Sequence, residues 1–81
     1  MDVYYTDAAK RQLEKLERNI QERIVDKMRF FISHSDPLKF AEPLTGFDAY
    51  RFRVGNYRVT FELDHDTARV LSIRRRDEAY R

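Results

Sequence analysis

Residues 50–63, YRFRVGNYRVTFEL, alternate apolar and polar side chains on both sides of a Gly-Asn pair, and little but a β-hairpin fits that pattern. Tyr50, Phe52, Val54, Tyr57, Val59, Phe61 and Leu63 share one face. Arg51, Arg53 and Arg58 share the other. With Gly55 and Asn56 as the turn, Val54 pairs with Tyr57, Arg53 with Arg58, Phe52 with Val59 and Arg51 with Thr60. A third strand at about 69–74 continues the sheet. Burying Leu71 opposite Phe61 and Ile73 opposite Val59 sets Arg74 opposite Arg58. Arg53, Arg58 and Arg74 then form a row over three strands on a face left open to water, with Arg51 one step away. A register slipped by one residue would bury Val70 and Ser72 instead.

The rest of the chain supplies the cover for the apolar face. Val3–Tyr5 is a short strand candidate, and Thr6 or Asp7 can cap a helix from Ala8 to about Arg18 carrying Ala9, Leu13 and Leu16. Asn19 followed by Glu22 predicts a capped second helix with Ile20, Ile24, Met28, Phe31 and Ile32 on one stripe. Residues 33–47 hold both prolines and Gly46 and read as a loop. Tyr4, Tyr5 and Tyr50 read as sheet packing. The expected fold is α+β, in the order β-α-α-β-β-β: an antiparallel sheet with an N-terminal helical hairpin on one face. Its 81 residues, 1–81, make one domain.

Charge is unevenly placed. Residues 1–49 carry eight Lys/Arg against nine Asp/Glu; residues 50–81 carry eight Arg, no Lys and five Asp/Glu. Guanidinium is the group suited to bidentate phosphate contacts. Like charges opposite each other on a sheet cost an amount comparable with the ~0.2–1 kcal/mol of a good cross-strand pair. A surface with only a structural role gains by alternating signs, as Glu62 can with Arg69. A cluster of arginines therefore points to a polyanion, nucleic acid or a multiply acidic partner; a solvated charged face is the plain competing reading. The chain has no cysteine, no signal-like N-terminus and no apolar run of the roughly 20 residues that span a bilayer. The expectation is a soluble, cytoplasmic protein without membrane association. No His or carboxylate set has metal-ligand spacing; His34 reads as a helix end and His65, with Asp64 and Asp66, as turn chemistry.

The segment EPLTGFDAYRFRVGNYRVTFELDHDTARVLSIRRRDEAYR resembles the C-terminal half of the RelE/ParE toxin superfamily, and RelE-like toxins in particular. The features are Pro43-Leu44-x-Gly46, Tyr50-Arg51-Phe52-Arg53-Val54-Gly55, Tyr57-Arg58-Val59 and Arg76-Asp77-x-x-Tyr80. The N-terminal strand and helical hairpin match as well, so the resemblance covers almost the whole chain. It implies a type II toxin, an mRNA interferase that enters the ribosomal A site and cuts mRNA without metal or cofactor. Its implied site residues are Arg51, Arg53, Arg58, Arg74 or Arg76 as the late arginine, and Tyr80. Arg74-Arg75 stand where many relatives carry Gly-His. The implied partners are a cognate antitoxin, ribosome-bound mRNA with 16S rRNA contacts, and operator DNA reached through the antitoxin. A ParE-like gyrase-inhibiting toxin and an inactive remnant that only binds its antitoxin are the alternatives.

The chemistry is consistent with such a set. Attack by the RNA 2′-hydroxyl needs a base, cations on the phosphorane and an acid for the leaving 5′ oxygen. The arginines supply the cations. Tyr80 is the base candidate, with a reference pKa near 10 that adjacent arginines would lower, or else a platform for a base to stack on.

Overall fold

The computed structural model describes residues 2–33, 41–44, 49–64 and 66–76. Its elements are β1 (Asp2–Tyr5), α1 (Asp7–Glu14), α2 (Arg18–Ser33), β2 (Glu42–Pro43), β3 (Ala49–Val54), β4 (Tyr57–Asp64) and β5 (Thr67–Arg75). The strands form one five-stranded sheet in the order β1-β5-β4-β3-β2. The α+β class and the helical hairpin on one face are as read from sequence. Two details differ. β1 runs parallel to β5, making the sheet mixed, and β2 adds a two-residue antiparallel edge to β3 inside the stretch read as loop.

The β3–β4 hairpin turns at Gly55-Asn56, where Gly55 has φ 57°. Both tight hairpin turns need positive φ at this first position, which glycine adopts without penalty. The pairings are Val54↔Tyr57, Arg53↔Arg58, Phe52↔Val59 and Arg51↔Thr60, as the alternation predicts.

Thr6 starts α1. Its hydroxyl accepts the Ala9 N–H at 3.1 Å and donates to the Leu71 carbonyl at 3.2 Å, so one side chain caps the helix and ties it to β5. α1 ends at Glu14, short of the expected Arg18, and α2 begins one residue before the expected cap. The Asn19–Glu22 capping box does not form. The Glu17 carbonyl already accepts from Ile20 and Gln21, which places Asn19 inside the first turn. Glu22 instead faces Arg18, four residues back, at 3.9 Å.

The core lies between the helices and one sheet face. Ala9, Ile24, Met28 and Phe31 meet Phe52, Val54, Val59, Phe61, Ala68, Val70 and Ile73. Phe31 is at the centre: its ring lies 4.7 Å from Phe52 and 6.4 Å from Phe61, centroid to centroid. Tyr5 and Tyr50 are half-buried against this core. Burial pushes the Tyr5 phenol above its ordinary pKa despite Arg29 nearby, which keeps it neutral at pH 7 and suits packing. Tyr4 departs from the packing role: it is 51% exposed, with the Lys10 ammonium 6.0 Å from its ring centroid.

β5 corrects one sequence expectation. Val59 does face Ile73, but Phe61 faces Val70, not Leu71, because a β-bulge interrupts the register. Val70 is fully buried and Leu71 only partly. Val70 and Ile73 are three residues apart, an odd separation, so a regular strand would turn one of them outward. The extra residue lets both face the core. It also lets Arg69 and Arg74, five apart, both point away from it. Thr6 anchors the distortion, its N–H donating to the Val70 carbonyl and its hydroxyl to that of Leu71. Beyond the bulge β1 no longer pairs with β5, and the Ile73 N–H donates to the Gln12 side-chain oxygen at 2.7 Å.

Candidate nucleic-acid interface

The register aligns Arg53, Arg58 and Arg74 side by side across β3, β4 and β5. Their backbones stand roughly 5 Å apart from strand to strand, so the three side chains serve one patch. Arg53 and Arg74 are exposed, and among the described residues neither has an ion-pair partner. Arg58 differs from the open position expected of it. It is the one buried charged residue among those described, 6% exposed, with its Nε out of reach of solvent. It sits on the middle strand with an arginine on each side. A guanidinium so placed is held in one geometry, as a fixed phosphate contact requires.

Arg51 lies one step along β3, opposite Thr60, and is paired. Its Nη2 is 3.2 Å and its Nε 3.3 Å from Glu42 Oε2 on β2. Sequence reading missed Glu42, since a counter-ion on a two-residue strand leaves no periodic signal. Glu62 and Arg69 do pair across β4 and β5, at 3.3 Å. The main chain of Arg76 is pinned to the hairpin turn, its N–H donating to the Asn56 carbonyl at 2.7 Å. Arg76 therefore lies at the turn end of the patch, while Arg74 is the late arginine within the row. Tyr80, with His34 and His65, lies outside the described residues.

The whole outer face is polarised. The arginine row occupies the end near the β3–β4 turn. Two neutralised pairs, Glu42–Arg51 and Glu62–Arg69, come next. Asp64, Asp66 and Asp2 close the far end, where the Asp2 N–H donates to the Asp66 carbonyl. Among the described residues no group of three His, Cys, Asp or Glu is placed to hold a metal ion. Nor is any described helix long and apolar enough to cross a membrane.

Residues 3–80 match the family model described as ParE toxin of type II toxin-antitoxin system, parDE. The chain belongs to the ParE toxin family. The toxin's fold is likewise that of RelE toxins. It is similar to a chain of the RelBE2 toxin–antitoxin complex of Mycobacterium tuberculosis, with 29% identity, 93% of this chain and 90% of that one covered, and a TM-score of 0.79. The isolated E. coli RelE toxin matches at 20% identity over 96% and 88% of the two chains, with a TM-score of 0.77. A chain of the archaeal RelE–RelB complex of Pyrococcus horikoshii matches at 24% identity over 93% of each, with a TM-score of 0.70. A search among curated proteins gave no match. The toxin is thus a RelE-like member of the RelE/ParE superfamily, and the helical hairpin over a mixed sheet is that group's architecture.

Proposed function

We propose that the toxin is a ribosome-dependent endoribonuclease that cuts mRNA in the A site. The observation that carries this reading is the in-register alignment of Arg53, Arg58 and Arg74 on adjacent strands. Three guanidinium groups on one patch, the central one buried, match the charge of a phosphorane and act by electrostatic stabilisation of the transition state. Arg58, buried and central, holds the scissile phosphate; Arg53 and Arg74 take its remaining oxygens or the flanking phosphates. Arg51, tethered to Glu42, reaches a neighbouring phosphate or orients Tyr80. Tyr80 is the base, or the platform on which a nucleobase stacks. Arg76, at the turn, is the alternative late arginine. Arginine is a poor proton donor, with a pKa above about 12. Cleavage of free RNA is therefore slow, and the ribosome supplies substrate orientation, 16S rRNA making part of the contact.

In this reading the toxin works in the cytoplasm and is held inactive by an antitoxin, as RelB accompanies RelE in the complexes it resembles. Operator DNA is reached through that antitoxin. A ParE-like toxin acting on DNA gyrase is the second reading, favoured by the family model that matches the chain. Induction of the toxin in growing cells, with pulse-labelling of protein and DNA, separates the two. The expected result is that amino-acid incorporation stops first and thymidine incorporation follows. Arrest of DNA synthesis while translation continues would decide for gyrase.

A further inference from the structure

The positive patch does not stop at the edge of the sheet. β2 covers β3 only at Tyr50 and Arg51; among the described residues no strand flanks Phe52–Val54 on that side. α2 reaches round this open edge. The Lys27 ammonium donates to the Arg53 carbonyl at 2.8 Å, its position fixed over the rings of Phe52 (5.6 Å) and Phe31 (6.0 Å). One helical turn earlier, Arg23 brings its Nη1 to the hairpin turn, 3.8 Å from where a Cβ on Gly55 would stand. Arg74, Arg58, Arg53, Lys27 and Arg23 thus follow one another across the outer face, over the β3 edge and onto α2. A pocket of about 280 Å³ lined by Glu42, Arg51, Phe52 and Arg53 opens at the same edge. The nearby carboxylates leave this line positive: Glu42 is held by Arg51 and Glu22 faces Arg18. Asp26 lies about 100° round the helix from Lys27 and about 60° from Arg23, on the side of Arg23 away from Lys27.

We propose that the RNA backbone crosses the sheet along the arginine row and bends over the β3 edge onto Lys27 and Arg23 of α2. This rests on the ribonuclease reading and adds to it a direction and two contacts. The alternative course, along the strands, runs into Asp66 and Asp2 at the far end of the face, both exposed and both repelling phosphate. Lys27 and Arg23 are positioning residues: they hold the strand beyond the scissile phosphate and take no part in the chemistry.

The test is the salt dependence of binding to a single-stranded RNA of roughly 12 nucleotides, long enough to span the line. Each phosphate neutralised on a single strand contributes about −0.7 to the slope of log K against log salt, measured between about 50 and 200 mM. R23A and K27M should each flatten the slope by about 0.7, and K10A, beside Tyr4, should leave it as in the wild type. Met at position 27 keeps the apolar stem over the two rings; R23A removes an exposed side chain and serves if K27M does not fold. Wild-type slopes in R23A and K27M would overturn the path. R74A tells the two levels apart. If R74A alone flattens the slope, the path fails and the ribonuclease reading stands; if none of the three does, both fail.

Discussion

Arg58→Ala is expected to slow mRNA cleavage on ribosomes by about 10²–10³-fold, the loss seen when one preorganised charge-stabilising donor is removed from a site. Arg58 is buried on the central strand between Arg53 and Arg74, and no other described cation occupies that place. Arg58→Lys should lose most of the rate as well, because an ammonium keeps the charge but not the bidentate fork. Single-turnover cleavage of a ribosome-bound mRNA measures both. Thermal unfolding alongside shows whether the variants still fold. A folded Arg58→Ala that cuts at the wild-type rate would remove Arg58 from the mechanism.

Phe31→Ala is expected to destabilise the toxin by about 3–5 kcal/mol, the range for a fully buried phenylalanine. Phe31 is 1% exposed and touches the rings of Phe52 and Phe61, so its removal opens a cavity between α2 and the sheet. At roughly 0.05–0.15 kcal/mol per residue, a domain of this size has about 4–12 kcal/mol in all. The loss therefore takes between about a quarter and all of that stability, and the shift of the urea midpoint measures it. Phe31→Leu, which refills most of the space, should cost far less. A loss under about 1 kcal/mol for Phe31→Ala would mean that the helix does not depend on this contact.

What the sequence revealed depended on how regular each signal was. The β3–β4 hairpin was legible because strict alternation flanks a Gly-Asn pair, and each side chain falls on the face that period two assigns it. The arginine row followed from the same arithmetic, Arg74 included. β5 was legible only in part. Leu71 is the more apolar partner for Ile73 by alternation, but Val70 is the residue in the core. The bulge that reverses the parity depends on Thr6, more than 60 residues away, and no local pattern announces it. The Asn19–Glu22 spacing suggested a cap that does not form because Arg18–Glu22 and the Glu17 carbonyl begin the helix earlier. Glu42 was invisible as the partner of Arg51, since a two-residue strand containing proline has no period. Lys27 and Arg23 looked like the polar side of an amphipathic helix. Only the docking of α2 against the open end of β3 brings them to the arginines.

The most direct measurement of the central claim uses the purified toxin, a short mRNA and defined ribosomes. Primer extension locates any cut after the A site is left empty. The account predicts cleavage at a discrete position in the A-site codon, requiring ribosomes and weakened when Arg53, Arg58 or Arg74 is replaced. Intact mRNA with active wild-type toxin, together with gyrase-dependent DNA breaks at the same toxin concentration, would contradict it.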